Sequence, residues 1–191
     1  AEFERQWKKH FGASAAAHPP VPPGVKPDAA QLADAANVLT ALDRAYLRAM
    51  LQAVRESTDP LMPVTGTQVG YTGLFHLDSH ADMDYQDNHF YVDHPNFPHQ
   101  RWDSRDWRIR DNSSVGGGMT SFLNMAFTRV AGQPYTVSDF NQPYPNRQAG
   151  EIDPTLAAFG AFQDWDSIMH FAYSHAREWD ARTPGGFDVN S

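Results

Sequence analysis

Pro134-Tyr135-Thr136-Val137-Ser138-Asp139-Phe140-Asn141-Gln142-Pro143 is the stretch on which the fold of this chain turns. Its first half, Tyr135 to Ser138, is β-branched and aromatic, the composition of a short buried strand. The run stops in Asn141-Gln-Pro-Tyr-Pro145, where two prolines remove backbone donors and forbid further pairing. Asp139 is thereby expected at the C-terminal lip of a strand. In a parallel α/β architecture, ligands and chemistry gather at that lip. A cap on the following turn is the other role open to an aspartate there.

The neighbouring segments alternate. Upstream, residues 119–131 read as a helix with Phe122, Met125, Ala126 and Val130 on one side, after the flexible start Gly116-Gly-Gly118. Downstream come a helix over 154–162 and a strand over 167–173. Toward the N-terminus the pattern gives a strand over 83–91, a short helix over 71–80 and a brief apolar strand over 61–65. The longest helical pattern, 29–55, starts at Pro27-Asp28, and Leu32, Ala36, Leu39, Asp43, Tyr46, Met50 and Val54 trace much of one face. Five prolines in 13–27 mark a linker behind a short amphipathic helix, 2–12, with Phe3, Trp7 and Phe11 in register. The expected organisation is an N-terminal helix and Pro-rich linker, 1–27, followed by one α/β region, 28–191. Helix and strand alternation implies βαβ crossovers and a parallel sheet. No Gly-rich phosphate fingerprint follows any strand, which favours part of a (β/α) barrel over a doubly wound sheet.

Composition narrows the chemistry. The chain has 191 residues, a net charge of -8 and no Lys/Arg cluster beyond Lys8-Lys9. That argues against nucleic acid and against an anionic membrane surface as partner. Aromatics reach 13%, which on an acidic chain suits a neutral polar ligand such as a sugar as well as a core. There is no cysteine, so disulfides, thiolate metal sites and a cysteine nucleophile are excluded. No apolar run approaches transmembrane length, and the first residues lack a signal-peptide core. The compartment stays open.

Four pieces together resemble a known family. Pro63-Val-Thr-Gly-Thr-Gln68, Asp87-Asn-His-Phe-Tyr91, Arg129 to Pro143 and Trp165-Asp-Ser-Ile-Met-His-Phe-Ala-Tyr173 are similar, in order and spacing, to strands five to eight of the (β/α)₈ retaining glycoside hydrolases. The likeness is to the cellulase-like and β-galactosidase-like members of polysaccharide degradation, whose catalytic acid sits on strand four and nucleophile on strand seven. The resemblance implies an α/β fold of parallel (β/α) units, the C-terminal half of a TIM barrel. It implies retaining hydrolysis of a β-glycosidic bond in a poly- or oligosaccharide, without a cofactor or metal. Asp139 would stand at the nucleophile position, and Tyr91 would donate its hydroxyl to that carboxylate. His89, Asn141, Gln142, Trp165 and Tyr173 would line the substrate site; read from the residues alone, His89 and Trp165 also suit a satisfied core. A secreted or periplasmic setting follows from the resemblance only.

The sequence departs from that family at two points. The family has glutamate where this chain has Asp139, which retracts the carboxylate by about one C–C bond where the two carboxyls must lie ~5–5.5 Å apart. The strands that supply the acid/base, and helix eight, have no counterpart among these residues. The expectation is a piece of a barrel, inactive or weakly active alone, that pairs with its missing half or with itself.

A competing constellation is His76-Leu-Asp78-Ser-His80-Ala-Asp82-Met-Asp84. On a strand, alternation would put its five His and Asp side chains on one face, a donor set suited to Zn, Mn or Ni in a metal-dependent hydrolase. A second acidic pair is not evident, and solvated loop charges are the plainer reading. A non-catalytic carbohydrate-binding or assembly module is the third possibility. Serine catalysis has no support, because Ser138 lacks the Gly-x-Ser-x-Gly elbow.

Overall fold

The computed structural model describes residues 2–68, 74–117, 119–142 and 144–172. They fall into two compact units, the first holding residues 2–66 and 74–84, the second 67–68 and 85–172.

The first unit is helical. Helix α1, Glu2–Phe11, buries Trp7, whose indole N–H donates to the His18 carbonyl at 2.6 Å. Helix α2, Ala29–Ser57, opens with a capping box: Asp28 accepts from the Gln31 amide and the Gln31 side chain accepts from the Asp28 amide. Such a cap contributes about 1 kcal/mol. The face expected inside is mostly exposed, with Leu32, Leu39, Tyr46 and Met50 all open. The buried positions are Val38, Leu47 and Leu51, the latter two packed with Met83 and Val64. A short helix, α3, covers Phe75–Ser79 of the expected 71–80, of which 71–73 lie outside the described residues.

The strand expected over 61–65 does not form. Those residues make a turn and an irregular stretch. Pro60 and Pro63 lack backbone donors, and Val64 exchanges both of its backbone groups with one residue: Asp84 donates its amide to the Val64 carbonyl (3.0 Å), and its carboxylate accepts the Val64 amide (2.8 Å). The Val64 amide is then spent on a side chain and is not available to a ladder.

The second unit is α/β. Strands β1 (Gln86–Tyr91), β2 (Tyr135–Asn141) and β3 (Ser167–His170) form one sheet in the order β1-β2-β3, and both pairings are parallel. Helices α4 (Met119–Phe127) and α5 (Ile152–Phe162) occupy the crossovers. The expected parallel order of the segments holding His89, Val137 and the 167–173 run is found, with the last strand ending at His170. Phe122, Met125, Ile152 and Leu156 pack with Tyr135, Val137 and Phe140 into the core. α5 approaches β3 closely because Gly160 has no side chain; a Cβ there would sit 2.5 Å from the Ile168 methyl. Glu151, just before α5, gathers the Ser113 hydroxyl (2.6 Å) and the Ser114 amide (3.1 Å), anchoring the loop that leads to α4.

Candidate functional site

Side chains alternate along a strand, so each of these strands has a helix-covered face and an opposite one. On β1, Phe90 packs toward the core, while Asp87, His89 and Tyr91 project the other way. On β2, Tyr135 and Val137 face the core, and so does Phe140, three residues further on. The odd step is a bulge. The register runs Asp87↔Thr136 and Asn88↔Val137, then jumps to His89↔Asp139 and Tyr91↔Asn141, leaving Ser138 without a partner. A bulge adds one residue to one strand and redirects the side chains beyond it. Here it sets Ser138 and Asp139 together opposite His89.

The result is one connected group. Tyr91 donates its hydroxyl to Asp139 Oδ1 at 2.5 Å. His89 Nδ1 lies 3.7 Å from Asp139 Oδ2. On its other side, His89 Nε2 is 2.8 Å from Ser138 Oγ and 3.1 Å from Asp87 Oδ2. Asp87 is buried and also accepts from the Thr136 hydroxyl (2.5 Å), the Ser138 amide (3.0 Å) and the Ser138 hydroxyl (2.5 Å). The bulged amide, cut off from the ladder, is thus satisfied by a side chain. Asp139 keeps about a quarter of its side chain accessible, so it is reachable from solvent while held in place.

Burial, followed by the hydrogen bond and the charge of Asp139, pushes the Tyr91 phenol well above the ordinary tyrosine range. The hydroxyl therefore stays a donor through neutral and moderately alkaline pH. The stabilisation from this proton is complete below the unfolded phenol value of about 10 and is lost as pH rises through the higher folded value. Alkaline titration followed by tyrosinate absorbance should show wild type and Tyr91→Phe coinciding through the main phenol range, with the wild-type excess ionising later. An excess with its midpoint near ~10 in the folded chain would remove the proposed contact.

The other expected site residues are placed differently. Asn141 donates to the Phe171 carbonyl at 2.7 Å and accepts the Gln142 amide at 2.6 Å, which ties the end of β2 to the residue after β3. Gln142 is buried and donates to the Asn112 carbonyl (2.7 Å) and to Asn146 Oδ1 (3.1 Å). Asn146 in turn donates to Asp93, whose backbone takes a left-handed turn at φ 72°. These residues knit the loops above the sheet together. Trp165 packs on Tyr135 and Phe159 at the helix-covered face, apart from Asp139. Tyr173 lies outside the described residues.

The His76–Asp84 run lies in the first unit, and there it meets arginines. Asp82 accepts from Arg44 (2.7 Å) and Arg48 (2.6 Å), and Arg55 bonds Asp84 at 2.5 Å. The two arginines hold the Asp82 carboxyl far below its usual range. The run begins as helix α3 rather than a strand, so the single-faced array of five donors does not form. His80 turns inward and bonds the His76 carbonyl at 2.8 Å. Among the described residues, no group of three His, Asp or Glu side chains is arranged to hold a metal ion.

Asp87 and Ser138 have no assigned role in the sequence reading. The signal for Asp87 was present: Asp87-x-His89-x-Tyr91 is a period-two polar array, which on a strand must share one face. Ser138 carries no such signal, since only the bulge turns it toward His89. No family model, curated protein or solved structure matches this chain.

Proposed function

We propose that this chain carries the nucleophile side of a retaining β-glycoside hydrolase acting on a poly- or oligosaccharide. In this reading β1, β2 and β3 correspond to strands six, seven and eight of a (β/α)₈ barrel. Asp139 attacks the anomeric carbon, the bond to the leaving oxygen breaks, and a glycosyl ester forms that water then hydrolyses. The acid/base that protonates the leaving oxygen comes from outside the described residues. One observation carries the reading: a partly accessible carboxylate accepts a 2.5 Å hydrogen bond from a tyrosine that keeps its proton, near the C-terminal ends of adjacent parallel strands. A neutral donor on one oxygen orients the carboxylate and leaves the other oxygen free to attack.

An activated aryl glycoside tests this without the acid, because a dinitrophenolate leaving group departs unprotonated. Incubation with dinitrophenyl 2-deoxy-2-fluoro-β-glycosides should release one equivalent of phenolate and add one glycosyl mass to the peptide carrying Asp139. Asp139→Asn should abolish both. Labelling elsewhere, or none under saturating conditions, sinks the nucleophile assignment. Saturable binding without any label would mark a non-catalytic sugar-binding module instead.

A further inference from the structure

The geometry points to Asp87 as the positioning residue that fixes which nitrogen of His89 carries the proton, leaving Nδ1 as an acceptor beside Asp139. Asp87 is a buried carboxylate with four neighbours that have hydrogens to give: Thr136 Oγ and the Ser138 amide on Oδ1, Ser138 Oγ and His89 Nε2 on Oδ2. An ionised carboxylate offers about four acceptor sites, and here all are taken. Ser138 has a single hydroxyl proton, and at 2.5 Å it is committed to Asp87 Oδ2. Toward His89, at 2.8 Å, Ser138 Oγ therefore presents only a lone pair. His89 Nε2 faces two oxygen lone pairs and must itself supply the hydrogen.

In the neutral ring the proton on Nε2 leaves Nδ1 bare. Nδ1 and Asp139 Oδ2, 3.7 Å apart, then form a pair of acceptors that repel unless a hydrogen enters between them. A ligand hydroxyl near both would lower that repulsion by donating to one of them. This use of Nδ1 rests on the glycoside reading above; the proton position itself does not. A buried carboxylate that selects a histidine tautomer is a known device, and its amide replacement is known to install the wrong one. Asp87→Asn turns an acceptor-only group into one with N–H donors, and an amide hydrogen aimed at Nε2 favours the proton on Nδ1.

The test is nitrogen NMR of the full chain with ¹⁵N-labelled imidazoles, in long-range proton–nitrogen correlation at mildly alkaline pH. The chain has nine histidines, so His89 is assigned by the signals lost in His89→Gln. The expected result is a protonated Nε2 in wild type and in Ser138→Ala, which keeps the carboxylate. In Asp87→Asn the two ring-nitrogen shifts should exchange, with the proton on Nδ1. A purely structural role for Asp87 would leave the tautomer unmoved, so an unchanged pattern in folded Asp87→Asn overturns the inference. A neutral wild-type ring protonated on Nδ1 overturns it as well, and that spectrum alone decides if Asp87→Asn does not fold. Adding cellobiose separates the two claims: a ligand-induced shift at Nδ1 supports both. Its absence, together with no glycosyl label from the activated substrates, defeats the glycosidase reading and leaves the tautomer result standing.

Discussion

Asp139→Glu is expected to raise hydrolysis of activated aryl β-glycosides by about two orders of magnitude over wild type. Retaining chemistry needs its two carboxyl groups only ~5–5.5 Å apart, so the attacking oxygen has little tolerance in reach. Misplacing a reacting group by about 1 Å costs on the order of 10²-fold in rate. Aspartate is shorter than glutamate by one methylene, and under the proposed glycosidase reading the added length returns the carboxylate toward the sugar. The position has room to accommodate it, since the Asp139 side chain is only partly covered. The Tyr91 contact must then re-form at the longer reach, and the comparison of Asp139→Glu with Asp139→Glu/Tyr91→Phe reads that out. Initial rates of phenolate release on a panel of β-glucosides, β-galactosides and β-mannosides provide the measurement. Equal or lower rates for the glutamate variant on every sugar would mean that Asp139 is not a retracted nucleophile.

The second large effect concerns stability. Phe122→Ala should destabilise the α/β unit by about 3–5 kcal/mol, the range for emptying a buried phenylalanine site. Phe122 is completely inaccessible. Its ring meets Phe90 of β1 edge-on at 5.1 Å and Phe159 of α5 at 5.8 Å, so one side chain joins α4, the sheet and the second crossover helix. Small domains hold only about 5–15 kcal/mol in total, so the loss takes a large share. At an m-value of about 2 kcal/mol/M the urea midpoint of that unit should fall by about 2 M. Near-ultraviolet circular dichroism during urea titration measures it. A loss under ~1 kcal/mol would mean that the site collapses onto the gap or that the two aromatic contacts are not made.

Much of the local structure was legible in the residues. Asp28 and the alanine-rich run behind it carry the start of α2, because capping and helix propensity are properties of neighbours in the chain. The β-branched Tyr135-Thr-Val stretch and the prolines after Asn141 likewise delimit β2 from within. Parallel pairing was expected from the alternation of helix and strand, since parallel neighbours need a crossover long enough to hold a helix. The period-two spacing of Asp87, His89 and Tyr91 puts them on one face of a strand, and the expected Tyr91–Asp139 contact forms.

What the tertiary structure decided is long-range. Leu61-Met-Pro-Val-Thr65 has the apolar content of a strand, yet both backbone groups of Val64 are taken by Asp84, about twenty residues away in sequence. The His76–Asp84 run has the donors of a metal site, but Arg44, Arg48 and Arg55 reach its carboxylates from α2. Half of β1 is Gln-Asp-Asn, poor strand formers, and it pairs because Gln86 and its successors meet a partner in β2. The bulge at Ser138 is the sharpest case. Local composition cannot announce it, because a one-residue register jump is set by which hydrogen bonds close across two strands some fifty residues apart, and Asp87 closes them from the other strand. The chain by itself determined which residue types stand near the strand ends. Whether His89 faces Ser138 or Asp139 was decided only when the sheet formed, since alternation repeats every two residues and leaves the register between strands free.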